Sequence, residues 1–356
     1  MKKIFALIVV LMFLSLPIVL AEVEKKDKDA LLDAIAKGGN RLLSTQGPNS
    51  GSIPYNWEWI AGDGYYGNPN LQGITATGLL AAFEKTGNSV YLEGAKKAGN
   101  TLKARYAAAP NDRPYAQDVE FLVRLAKDSK DKSYLEVAKK WYANVIRDFT
   151  AEANVARYIT RRGGSLAGWD LASQIRAADA TGNKEYAKTM AKELIRRSAD
   201  WVHVPSYGFD YTTISYGSLL WALHGIGNNH ATIEKYREFL LANQNADGSW
   251  EGGDFQTTAY VILGLDAVKG EGKELKNALA LAGNFLVSTQ TNLGGWFYTG
   301  DGEYPEVDSE AVMSLGSFDG LHKIKSDKHV DYEKPKKGGD REKPFEDDDK
   351  ESKNRD

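Results

Sequence analysis

The sequence contains no cysteine in its 356 residues. That excludes disulfides, thiolate zinc and iron–sulfur centres, a catalytic thiol and a lipoprotein anchor. Histidine is scarce, at five, and no two histidines stand four apart as a helical metal pair would. An excess of one charge is also lacking: 45 Lys and Arg face 48 Asp and Glu, a formal net charge of −3. A chain built to grip phosphate backbones is more basic than this, so no nucleic-acid partner is expected. Strand patterns are few, and no Gly-x-Ser-x-Gly elbow or convincing Ser-x-x-Lys site occurs.

Long apolar runs are lacking too, with one exception. Met1-Lys2-Lys3 precedes an apolar stretch from Ile4 to Ala21, and short side chains stand at its end. This is the pattern of a cleaved secretory signal over residues 1–21, or of an uncleaved N-terminal anchor. Either places the rest outside the cytoplasmic membrane: secreted, periplasmic or cell-surface. After residue 322 the composition changes. Lys323–Asp356 holds 11 basic and 11 acidic residues with only Tyr332 and Phe345 as large rings. Such a segment buries too little to offset its ordering entropy, so 323–356 is expected to be a disordered tail. Its acidic cluster Glu346–Asp349 is a candidate contact for a partner.

Residues 22–322 repeat themselves. A loop, a tyrosine and a lysine-faced amphipathic helix recur at Thr86–Lys97, Asp131–Lys140 and Thr181–Lys188. Between such helices lie drier ones, rich in Gly, Ala, Ser and Thr, starting near Gln72, Tyr115, Trp169, Tyr211, Phe255 and Val307. A helix apolar all round is buried all round. Six wet helices, starting near Asp29, Ser89, Lys132, Asn183, Ala231 and Lys273, alternate with these six dry ones. The pattern predicts an all-α closed double ring of twelve helices in six hairpins. The first and last units match each other: Gly39–Gln46 with Gly283–Gln290, and Gly62–Tyr66 with Gly300–Tyr304. In a closed ring these units are neighbours, whereas an open solenoid ends in atypical caps.

Two loops carry a further signature. Glu238–Gln244 leads into Asn245-Ala246-Asp247-Gly248-Ser249-Trp250, and Asn284–Gln290 leads into Thr291-Asn292-Leu293-Gly294-Gly295-Trp296. A degenerate third copy runs from Gln46 to Trp57 or Trp59. The pattern resembles the QW repeat of the squalene–hopene cyclase and prenyltransferase β-subunit superfamily, over most of residues 29–320. The resemblance implies an (α/α)6 toroid and a bracing role for Gln244, Trp250, Gln290 and Trp296. It does not carry the known reactions over. The helical region has no Asp-x-Asp-Asp acid and no aspartate-rich diphosphate motif. Without cysteine, the zinc site of the prenyltransferases and the thioester of the complement-like toroids are missing too.

The outer-to-inner loops are the long ones, so they and the inner-helix starts are expected to form the mouth of the ring. Rings and carboxylates collect there. Trp57, Trp59, Tyr65, Tyr115, Trp169, Tyr211, Phe255 and Tyr304 are candidate ligand-binding residues. Asp118, Asp170, Asp254 and Asp308 are candidate catalytic acids, able to work as an acid–base pair at suitable separation. Each Asp also suits a plain helix N-cap, and each ring suits loop packing. Asp63 and Asp301, each between glycines, suit a shared calcium or a tight turn. No metal and no cofactor is assigned. Arg161-Arg162 before Gly163-Gly164 reads as a loop. Three functions fit: a glycan-binding or glycan-cleaving toroid, a terpenoid-cyclase-like protein acting on an isoprenoid, and a scaffold for a protein or peptide. Membrane contact is expected only through an uncleaved N-terminal segment.

Overall fold

The computed structural model describes residues 28–227, 230–268, 272–298 and 302–318, which belong to one compact unit. The N-terminal apolar run, the charged tail and Asp301 lie outside the described residues. The described residues form thirteen α-helices and a two-residue hairpin, β1 (Phe297–Tyr298) with β2 (Gly302–Glu303).

The inner ring consists of α2 (Leu71–Thr86), α4 (Ala116–Ser129), α7 (Leu166–Ala180), α9 (Thr212–Ile226), α11 (Phe255–Ala267) and α13 (Pro305–Ser317). Each packs on the next, and α13 packs on α2, so the ring is closed. The expected starts are met to within a few residues. The outer helices are α1 (residues 28–45), α3 (Ser89–Ala108), α5 (Lys132–Asp148), α8 (Lys184–Arg196), α10 (His230–Ala242) and α12 (Lys273–Thr289).

One element departs from the twelve-helix expectation. Residues Ala151–Arg162 form α6, packed on α7 and α8, so Arg161 and Arg162 close a helix instead of forming a loop. Thr150 caps it by accepting from the Ala153 N–H. Only Ala151, Asn154, Val155 and Ile159 of it are buried, too few apolar positions for a clear helical period.

Small residues at the inner seams let backbones touch. A Cβ on Gly264 of α11 would stand 2.1 Å from the carbonyl oxygen of Gly217 on α9. At the closing seam the Ser309 hydroxyl of α13 inserts into the ladder of α2. It accepts from the Gly78 N–H at 2.9 Å and donates to the Ile74 carbonyl at 2.8 Å.

The outer ring is sewn by the repeated residues. Gln46, Gln244 and Gln290 each donate to a carbonyl of the next outer helix: Gly94 at 3.1 Å, Ala278 at 2.8 Å and Ala34 at 2.9 Å. The last of these joins the end of the chain to its beginning. Trp57, Trp250 and Trp296 each donate their indole N–H to one of the last four carbonyls of their own outer helix, Leu42, Leu240 and Leu286. Those carbonyls lack intrahelical backbone N–H donors. Trp201 does the same to Leu194 and is a fourth copy that the sequence pattern does not reveal. The recurring tyrosines also bind backwards. Tyr91 donates to the Ala36 carbonyl at 3.0 Å, and Tyr134 to Asn100 at 2.8 Å.

Candidate functional site

The inner helices are parallel, so their N-termini share one end of the ring. The long connections between outer and inner helices gather at that end, and the turns at the other end are short, such as residues 87–88 and 130–131. Four of the five non-glycine residues with left-handed backbone among the described residues, Tyr55, His203, Tyr207 and Glu251, lie in the long connections. Such strain collects where loops are shaped for a task.

The four candidate acids do not form one group. Asp118 is wholly enclosed. It accepts from the Gly73 N–H of α2 at 3.0 Å and pairs with Arg105 of α3 at 3.2 Å. Burial lifts its carboxyl to about 6 against the pull of Arg105. It is a tie between three helices, and a catalytic role is withdrawn. Asp308 is likewise sealed. It accepts from the Trp296 N–H at 2.7 Å, inside the bracing loop. Burial first, and the neighbouring Glu303 charge second, push its carboxyl well above the usual range, while Arg41 holds Glu303 through two bonds of 2.6 and 2.7 Å. Asp308 therefore belongs to the seam and not to the mouth. Asp254 caps α11, accepting from the Thr257 N–H at 2.6 Å, and its second oxygen accepts from the Tyr298 hydroxyl at 3.3 Å.

Asp170 is different. It stands on α7, 3.0 Å from Arg162 of α6, and its side chain is partly exposed. Helix α13 stands opposite α7 in the ring of six and brings Glu306 and Glu310, two acids one turn apart. Burial first and the Asp170 charge second raise Glu306 to about 7, so these carboxyls sense each other across the lumen. Glu306 is partly exposed, whereas Glu310 below it is fully enclosed and takes a 2.9 Å bond from the Gln256 amide. Burial first, then Glu306, push Glu310 well above the usual range. The site thus holds carboxyl groups that differ in protonation at neutral pH, as acid–base chemistry requires. Sequence reasoning missed Glu306 and Glu310. The available signal was three acids, Glu306, Asp308 and Glu310, within five residues of a dry helix, with the two glutamates one turn apart.

The rings separate in the same way. Trp57 has no exposed surface and braces α1, so it leaves the ligand-binding set. Phe255 is nearly buried, stacked on Phe285 and tilted against Tyr298, and packs the loop. Tyr115 begins α4 beneath the Arg105 guanidinium. Trp59, Tyr304 and Tyr298 form an edge-to-face series at 6.1 and 5.8 Å. Across α11, Trp169 stacks on Tyr211 at 6.3 Å and meets Tyr260 edge-on at 5.4 Å. The first series ends at Tyr304, the residue before α13, and the second reaches Glu310 through the Tyr260 hydroxyl. Tyr65 stands out at the rim, 55% exposed. Asp63 receives the Tyr65 N–H in a tight turn, and Asp301, its expected partner, lies outside the described residues.

Deeper in the lumen, toward the short turns, lies a cavity of about 500 Å³ lined by Ile74, Thr77, Val123, Trp221 and Met313 and by the Glu120–Arg176 pair. Arg176 bonds Glu120 at 2.7 Å and lies 4.0 Å over the Trp221 ring. Its charge and that of Glu310 both reach the Tyr260 hydroxyl, so Arg176 lies just below the acid layer.

No family model matches the chain, and no curated protein matches it in sequence. Solved structures do. The unsaturated glucuronyl hydrolase of Bacillus sp. GL1, responsible for the degradation of glycosaminoglycan, is 16% identical over 80% of this chain and 95% of that one, with a TM-score of 0.57. The α-1,6-mannanase GH76A of Salegentibacter sp. HEL1_6 is 11% identical over 81% and 98%, at 0.58. The type II terpene cyclase MstE of Scytonema is 14% identical over 82% and 97%, at 0.58. At such identities the likeness is one of fold: this chain is an all-α toroid of the kind used by glycan-processing enzymes and by a terpene cyclase.

Proposed function

We propose that the toroid binds a glycan at its long-loop mouth and cleaves it by acid–base chemistry. Glu306 is the proton-holding acid that protonates the leaving glycosidic oxygen, and Asp170, 3.0 Å from Arg162, is the base that takes a proton from the attacking water. One observation carries the reading: opposed helices α7 and α13 present these two carboxyls between two series of aromatic rings. Sugar rings offer apolar faces that stack on Trp59, Tyr304, Trp169 and Tyr211, and hydroxyl edges that carboxyls bind. Two structural neighbours of this fold are glycan hydrolases, and one is solved as an inactive variant in complex with α-1,6-mannotetrose. The secretory pattern of residues 1–21 fits a ligand met outside the cell.

A second reading has one observation in its favour. Glu310 is a buried, proton-holding acid among Tyr260 and Trp169, as a polyene-protonating cyclase would need. The Glu120–Arg176 ion pair just below makes the lumen polar and favours the glycan. The test is a screen of the full chain against oligosaccharides and polyprenyl substrates. Release of reducing ends, lost in Glu306→Gln with binding retained, supports the proposal. Turnover of a polyprenyl substrate with no response to any glycan would overturn it.

A further inference from the structure

The mouth is unevenly charged. Each long connection, from the last turn of its outer helix to the first residue of its inner one, has its own formal charge. The α10–α11 connection carries Asp247, Glu251 and Asp254, a charge of −3. The α12–α13 connection carries Asp301 and Glu303, and the α1–α2 connection Glu58 and Asp63, each −2. The α8–α9 connection is at −1. Only the two on the remaining side are positive. The α3–α4 connection is at +1 and the α5–α7 connection, which contains α6, is at +2. In the ring order, the positive side faces the acidic one across the mouth.

The positive wall is built of arginine. Arg113 lies 5.0 Å and Arg157 4.7 Å over the same Phe149 ring. Asp148 already holds Arg147 at 2.7 Å and stands 3.7 Å from Arg113. Arg157 meets no carboxylate among the described residues. It donates to Asn154 at 3.3 Å, stacks on Tyr158 at 4.6 Å, and its Nε–H is buried without an acceptor. Bringing guanidinium groups together over one ring costs repulsion unless an anion relieves it. Arg162 continues the wall to Asp170, at the acid centre itself. Planar guanidinium forks suit carboxylate, sulfate and phosphate oxygens, and neutral hydroxyls need no such array.

We infer that the glycan is anionic, and that Arg113 and Arg157 receive its negative groups while Glu306 and Asp170 act on the glycosidic bond. This rests on the glycan reading above and adds the substrate class to it. It also gives α6, the helix outside the six-fold pattern, a task.

The test is calorimetric binding of the full chain to polygalacturonate and to chondroitin sulfate, each beside a counterpart with its carboxyls reduced and its sulfates removed. The expected result is tighter binding of both acidic polymers by about tenfold or more, as one or two charge-assisted bonds supply. The preference falls toward unity in Arg113→Gln/Arg157→Gln and is partly restored in Arg113→Lys/Arg157→Lys. Lys276→Gln, exposed at the short-turn end, leaves it unchanged. Unchanged melting temperatures exclude misfolding. Equal affinity for acidic and neutral polymers, or a preference untouched by the Gln pair, overturns the inference while the glycan reading stands. Binding of none of the four overturns the glycan reading itself.

Discussion

Glu306 makes the fold's stability depend on pH in a direction that can be worked out. Its carboxyl titrates near 4.5 in the open chain and at about 7 in the toroid, because burial and the Asp170 charge both oppose ionisation. The folded state therefore binds more protons than the unfolded one between those values, and stability falls as pH rises through them. Below 4.5 both states are protonated and Glu306 costs nothing. Above about 7 both are ionised, and the shift of two and a half units amounts to roughly 3 kcal/mol at about 1.36 kcal/mol per unit. Glu306→Gln keeps the shape and removes the titration. In urea unfolding followed by circular dichroism at pH 4.5, 6, 7 and 8, the wild type and the variant are expected to agree at pH 4.5. They diverge as pH rises, until the variant is more stable by up to roughly 3 kcal/mol at pH 8. Asp170→Asn removes the second cause, so it shifts the midpoint of that divergence downward. Glu310 and Asp308, also raised, leave a residual slope in the variant. Identical pH slopes for wild type and Glu306→Gln would refute the placement of Glu306 in a buried carboxyl cluster.

The seam and the bracing loops give further expectations. Gly78→Ala drives a methyl to 2.5 Å from the Ser309 hydroxyl and 2.8 Å from its Cα, so it should cost about 1–3 kcal/mol, read as a lowered urea midpoint. Asp118→Ala orphans the Gly73 N–H and Arg105 and should cost roughly 3 kcal/mol, whereas Asp118→Asn keeps an acceptor, costs less and leaves any glycan activity in place. Trp57→Ala opens a cavity beneath α1 and should cost roughly 3–5 kcal/mol. Trp59→Ala should instead weaken glycan affinity, measured by calorimetry, with a much smaller change in melting temperature.

The ring was legible because its cause is local and repeated. In the phrase Thr86-Gly87-Asn88, Gly87 takes the left-handed C-cap at φ 70° and Asn88 caps the next helix, so the turn is spelled in three letters. Closure was legible because Gln46 and Gln290 do the same job on adjacent helices. Trp201 was not legible: it stands in a loop of another length with no Gln before it and no Gly-x-Trp, yet its indole reaches the same kind of orphan carbonyl. Helix α6 escaped because its buried positions are few and one is Asn154.

The site was half legible. Composition marks which residues lie near the inner-helix starts, but not which way they turn. Asp118 and Asp170 look alike in sequence, each early in a dry helix. One points into a three-helix joint and the other into the lumen, a difference set by helix rotation within the ring. Trp57 and Trp59, two residues apart, part in the same way: the first is locked under α1, and the second meets Tyr304. Glu306 and Glu310 match no catalytic motif, so composition alone does not single them out. Two glutamates one turn apart on a buried helix need a reason, and here the reason is a lumen.

The opposed carboxyls on α7 and α13 are proposed to work on a glycan at the mouth. The most direct measurement is the initial rate of reducing-end release from a glycan bound by the full chain, compared between wild type and Glu306→Gln at matched occupancy. The expected result is a fall of about a hundredfold or more with dissociation constants within a factor of a few, as loss of a general acid gives. Equal rates in the two proteins would contradict it.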